Sequence, residues 1–238
     1  MGRAFEVRKA SILKTGQQKA KIYSVYAKEI YQAAKNGGTD PVANDDLKRI
    51  LERAKKDQVP SDLIKRAIDK VKSGANENYE VFKYEVMGPC NSSLIVECLT
   101  DNSNRSLSDI RTVLNKTNAK LVNQGTFGYL FNTFSKVVVN NVSVDDVMDV
   151  CILNDIDVLD VYILSSSIVV TGSVKDLNSI KVALLTLEGA SINSVEIVTE
   201  PIEKLVLDDE CMNEFSKIIN MLEEVDDVKN IFHNVCDK

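Results

Sequence analysis

Residues 136–199 read KVVVNNVSVDDVMDVCILNDIDVLDVYILSSSIVVTGSVKDLNSIKVALLTLEGASINSVEIVT, and this stretch decides the fold. Short blocks rich in β-branched residues at Val137–Val139, Val158–Leu164, Ile168–Thr171 and Ser194–Val198 have the period and composition of strands. Between them, Val144–Leu153 and Leu177–Leu187 carry apolar residues at helical spacing. The resulting order is β-α-β-β-α-β, the ferredoxin-like order. A unit that closes on itself in this way can sit inside another domain. The spacing therefore predicts a ferredoxin-like domain over 135–199, inserted into a discontinuous α+β domain of 79–134 plus 200–238.

The flanks supply that host. Val81–Met87 and Leu94–Thr100 read as strands joined through the turn-rich Gly88-Pro89-Cys90-Asn91. A helix is expected from Ser106 to Lys116, with Ile110, Val113 and Leu114 inward, and a strand near Thr126–Phe131. Beyond the inserted unit, a strand near Leu205, a helix over Asp209–Leu222 capped by Asp208 and a strand over Val228–Asn234 complete the set.

The first 76 residues have a different character. A basic arm (Arg3, Arg8, Lys9, Lys14) precedes a helix from about Gln17 to Asn36, whose stripe is Ile22, Tyr26, Ile30 and Ala33. Lys21, Lys28 and Lys35 recur every seven residues and so share one edge of it. Gly37-Gly38 ends this helix. Asp40-Pro41 is expected to start the next, with Asp as cap and Pro at the first helical position. Its apolar stripe is Leu47, Ile50, Leu51 and Ala54. A third helix follows Val59-Pro60-Ser61, and Ser73–Asn76 is a linker. The expected architecture is α+β and multidomain, beginning with a three-helix bundle.

Charge divides along the same line. Residues 1–75 hold 17 Lys/Arg against 9 Asp/Glu, a net of +8, whereas residues 76–238 hold 12 against 26, a net of −14. Positive charge gathered on one module attracts polyanions, above all nucleic acid. The candidate contacts are Arg3, Arg8, Lys9, Lys14, Lys19, Lys21, Lys28, Lys48, Arg49 and Lys55, joined by Arg105 and Arg111 farther along. Among the tyrosines, Tyr26 belongs to the core stripe, while Tyr23 and Tyr31 are candidates for surface stacking on bases.

Asp101-Asn102-Ser103-Asn104-Arg105 lies where a strand gives way to a helix. Capping accounts for its Asn and Ser residues, while Arg105 exceeds what a cap requires and is the candidate contact. The acidic tail (Asp208, Asp209, Glu210, Glu214, Glu223, Glu224, Asp226, Asp227) reads as a solvated face. The lone histidine, His233, is expected to pack on the last strand. No phosphate-binding loop, dinucleotide fingerprint or nucleophile elbow occurs, so no enzyme, cofactor or metal is expected. The five cysteines are odd in number, widely spaced and never paired as Cys-x-x-Cys. They point to reduced thiols rather than a disulfide framework or zinc site. With no membrane-length apolar run and no apolar leader, the expected location is the cytoplasm.

Several spaced motifs occur in the order of one known family. These are Gly37-Gly38-Thr39-Asp40-Pro41-Val42-Ala43-Asn44, Ala54-Lys55 before Val59-Pro60, Gly88-Pro89, Glu97–Arg105 with Arg111, and Asp226-Asp227-Val228 through His233-Asn234-Val235. In these the chain resembles the YebC family, in its YeeN-like branch, over essentially its full length. The resemblance implies three domains and a regulator of gene expression. The bacterial members it resembles are described as DNA-binding transcriptional regulators, and mitochondrial relatives as translational activators. Duplex DNA is therefore one expected partner, and rRNA or tRNA on the ribosome the alternative. Where the family has Lys-x-Gly-Gly, this chain has Lys116-Thr117-Asn118-Ala119.

Overall fold

In the computed structural model, residues 16–236 are described, with side chains from Lys19 onward. Arg3, Arg8, Lys9 and Lys14 lie outside that range. Among the described residues, seven α-helices and two four-stranded antiparallel sheets divide between two compact units. One unit is Phe131–Glu200, and the other is formed by the residues before and after it.

The larger unit opens with α1 (Gly16–Gly37), α2 (Asp45–Lys56) and α3 (Ser61–Lys72). Tyr26, Ile30, Ala34, Leu47, Ala54, Val59 and Ala67 form their shared core. The α1–α2 turn differs from the sequence expectation, because Asp40-Pro41 does not begin α2. Asp40 instead closes a local turn by accepting the Val42 N–H at 2.9 Å. The cap is Asn44, whose side chain accepts from the Leu47 N–H at 3.0 Å. Its Nδ2 donates to the carbonyls of Ala33 and Gly38, each at 2.9 Å. Asn44 thereby binds the end of α1 to the start of α2. It also explains Gly37, since a Cβ there would lie 2.6 Å from Asn44 Nδ2.

The sheet of this unit has the order β3-β1-β2-β8, from β1 (Glu80–Met87), β2 (Ser93–Thr100), β3 (Lys120–Leu121) and β8 (Val228–His233). Every residue of β2 is buried. The helices α4 (Ser103–Leu114) and α7 (Asp209–Glu223) cover the sheet with Ile110, Val113, Leu114, Phe215, Ile218, Ile219 and Leu222. His233 packs edge-on against Phe215. Near Leu205 there is only an isolated bridge to Val235 rather than a strand.

No strand forms over Thr126–Leu130 either. The buried carboxylate of Glu85 accepts the backbone N–H groups of Gly125, at 2.7 Å, and Phe127, at 2.5 Å. Those donors are thus lost to a ladder and the segment becomes a pinned loop. The strand begins at Phe131. A second departure concerns the thiols, because Cys90, in the turn after β1, is joined to Cys211 on α7 as a disulfide. The turn brings the two Cα atoms to 6.2 Å, within bonding reach, despite their separation in sequence.

The smaller unit runs β4 (Phe131–Asn140), α5 (Val144–Leu153), β5 (Val158–Leu164), β6 (Ser167–Gly172), α6 (Leu177–Leu185), β7 (Ser191–Pro201). Its sheet order is β5-β6-β4-β7. Val137, Val139, Ile168 and Val170 meet Val147, Val150, Ile180 and Leu184 from the two helices in one apolar core. Ser143 and Asp146 form a reciprocal capping box at the start of α5.

Candidate nucleic-acid interface

Helix α1 presents Ala20, Lys21, Ser24 and Lys28 to a cleft of about 530 Å³ whose other wall is Arg105, Asp226 and Asp227. Ala20 and Ser24 are one turn apart and small, which leaves the floor of the cleft open. Its charged groups are largely committed to one another. Asp227, only 4% exposed, accepts from Lys28 at 2.8 Å, from Arg105 at 2.9 Å, from Ser106 at 2.8 Å and from Thr100 at 3.0 Å. Burial alone would favour the neutral acid. The bonds from Lys28, Ser106 and Arg105 overcome that and hold its carboxyl down at about 2.

The acidic tail is therefore not uniformly a solvated face. Asp227 is the anionic centre that ties α1, the end of β2 and the start of α4 together. A single carboxylate within an acidic run carries no mark of burial in one sequence. The two signals available were an unexplained Arg105 and the family-like Asp226-Asp227-Val228.

A second network repeats the design. Glu29, 7% exposed, accepts from Arg53 and, at 2.8 Å, from Lys229 on β8. Lys229 also reaches Glu97 at 3.5 Å, and Glu97 accepts from Asn230 at 3.0 Å. Lys21 donates to the Glu223 carbonyl. Its partial burial depresses the ammonium pKa to about 8, against the opposing pull of Glu223 and Asp226.

The expected contact residues thus fall into two groups. Lys21, Lys28 and Arg105 come together in the cleft but hold the helical part to the sheet. Arg49 pairs with Asp46 within α2. Asn102 caps α4, accepting the Asn104 and Arg105 N–H groups at 3.1 Å each. In contrast, Lys19, Lys48, Lys55 and Arg111 are exposed, and among the described residues no ion pair engages them. Lys65 and Arg66 on α3, missing from the sequence-based set, share that condition. Tyr31 is not a surface residue. It is 2% exposed, its hydroxyl donates to the Ala75 carbonyl, and its ring meets Tyr79 edge-on at 5.7 Å. Tyr23 is half-buried. Among the described residues no cluster of His, Cys, Asp and Glu could hold a metal ion, and no helix is long and apolar enough to cross a membrane.

Comparison with known proteins agrees with this architecture. The model of the TACO1/YebC N-terminal domain matches residues 3–74, and that of the TACO1/YebC second and third domain matches residues 79–235. A probable transcriptional regulatory protein of Alteromonas mediterranea is 41% identical over 235 residues, covering 98% of each chain. One from Acholeplasma laidlawii is 42% identical over 240 residues, covering 99% of this chain and 98% of its own. The crystal structure of a conserved hypothetical protein from Aquifex aeolicus superposes with a TM-score of 0.71 at 30% identity, over 93% of this chain and 92% of the other. With both of its parts matched in sequence order and relatives aligned end to end, this chain belongs to the TACO1/YebC family.

Proposed function

We propose that this protein is a non-enzymatic regulator of gene expression that binds nucleic acid through its helical part. The observation that carries this reading is the sorting of cations. Lys21, Lys28, Arg53, Arg105 and Lys229 serve internal anions, while Lys19, Lys48, Lys55, Lys65 and Arg66 stay exposed on the three helices. Exposed cations that no ion pair among the described residues engages release counterions when they meet phosphates, which favours binding. The relatives named as transcriptional regulators favour duplex DNA as the target. In this reading residues 1–76 form the nucleic-acid module, 79–134 with 200–238 the body, and 135–199 an inserted domain, working in the cytoplasm.

Fluorescence anisotropy of the full chain against a duplex DNA and a structured RNA of equal length, across a salt series, tests this. Six phosphate contacts on duplex DNA predict a log–log salt slope of about −5. Reversing Lys48, Lys55, Lys65 and Arg66 to Glu should bring the slope to about −2 and weaken binding roughly a hundredfold at unchanged melting temperature. Tighter binding to the RNA would move the target to rRNA or tRNA on the ribosome. Binding insensitive to salt and to the reversals would end the proposal.

A further inference from the structure

The smaller unit has a feature that nucleic-acid binding does not use. Strand β5 is an edge of its sheet, so one side of its backbone faces outward. Exposed edges normally carry Lys, Pro or a short strand that discourages further pairing. The other sheet follows that rule, since its edge strand β3 is two residues long and includes Lys120. Strand β5 does not. It has neither Lys nor Pro, and Leu159, Ile163 and Leu164 are 69%, 66% and 53% exposed. A register shift at Leu159 leaves Asp160–Leu164 as a regular stretch paired on one side with β6.

Alternation divides the side chains of this stretch. Val161 joins the core beneath the helices, so Ile163 lies on the same face, towards α5, which packs on β5. Helix α5 also carries exposed apolar residues, Met148, Ile152 and Leu153, at 37%, 70% and 84% exposure. Asp160, Tyr162 and Leu164 point the opposite way.

Charge identifies what fits. Residues 141–166 contain six aspartates and no Lys, Arg or His. Asp145 and Asp146 are accounted for by the start of α5, where they cap and complement the helix dipole. Asp149, Asp155, Asp157 and Asp160 have no such role. They are exposed, and among the described residues no cation pairs with them. A second copy of the chain would bring the same aspartates against these, which argues against self-pairing.

We propose that the outer edge of β5 binds an extended segment of a basic protein by strand addition. Backbone hydrogen bonds along Asp160–Leu164 fix the register. The partner's apolar side chains lie against Ile163, and its Lys or Arg side chains lie opposite Asp157 and Asp160. A nucleic-acid-binding regulator with this edge would engage a polyanion with one unit and a basic protein with the other.

The test is a backbone-amide NMR titration of the full chain with an octapeptide of alternating Arg and Val. The controls alternate Glu with Val and Arg with Ser. Shift changes should concentrate on Val158–Leu164, be absent with the Glu peptide, and require about tenfold more of the Arg–Ser peptide. Ile163→Lys and, separately, Asp160→Asn should each weaken binding several-fold with the melting temperature unchanged, as expected for exposed sites. Equal binding of the Arg–Ser peptide, shifts located elsewhere, or indifference to both substitutions would overturn the assignment. So would concentration-dependent dimerisation that Ile163→Lys abolishes, because the edge would then belong to a second copy.

Discussion

Asp227→Ala should destabilise the protein by about 3–5 kcal/mol, the usual cost of removing one side of a buried, hydrogen-bonded ion pair. The carboxylate has four side-chain donors, and two of them, Lys28 and Arg105, are cations. Without it, the Leu99 carbonyl at 3.3 Å is the only hydrogen-bond partner left to Lys28 among the described residues. Asp227→Asn is not a rescue, because its amide would point two further donors at groups that need acceptors. For a chain of this size the melting temperature should drop by roughly 10 °C, at about 2–4 °C per kcal/mol.

Its pH dependence follows from the sign of the shift. The carboxyl is held at about 2, below its ordinary 3.8. The stabilisation is therefore complete above the ordinary value and disappears as the pH falls from there towards 2. Urea denaturation of wild type and Asp227→Ala at neutral pH and at pH near 2 should show curves far apart that converge in acid. A constant gap would mean that packing, not charge, sets the cost.

Asn44→Ala should come next, at about 3 kcal/mol. Loss of an N-cap costs about 1 kcal/mol, and losing the two part-buried hydrogen bonds to the Ala33 and Gly38 carbonyls adds about 1 kcal/mol each. Asn44→Asp separates these contributions, since it retains the cap oxygen for Leu47 and removes both donations. It should fall between wild type and Asn44→Ala in thermal unfolding. A variant indistinguishable from wild type would remove Asn44 as the link between α1 and α2.

Much of the fold was legible because periodicity reports local structure. The six elements of 136–199 came from strand-like blocks and helical spacing, and the helical part from three apolar stripes. The failures have two causes: partners distant in sequence overrode local signals at Thr126–Leu130 and Tyr31, and a competing local turn did so at Asp40-Pro41. Thr126–Leu130 has strand-like composition, but Glu85 takes its donors. Asp40-Pro41 has the form of a helix start, yet the turn around Asn44 delays α2 to Asp45. Tyr31 lies off the main stripe but is sealed by Ala75 and Tyr79. The candidate interface was legible only as a pool of charge. Which lysines remain open depends on where Glu29, Glu97 and Asp227 sit, and those positions arise from β8 returning beside β2 some 130 residues later.

The Cys90–Cys211 bond has a topological consequence. It closes a covalent ring that contains the whole of Phe131–Glu200. A single protease cut anywhere in that unit opens the ring without releasing either piece, and the fragments separate only after a thiol reductant acts. In an oxidised molecule the smaller unit can thus be nicked, and even unfold, while both ends of the break stay fastened to the same sheet-and-helix body.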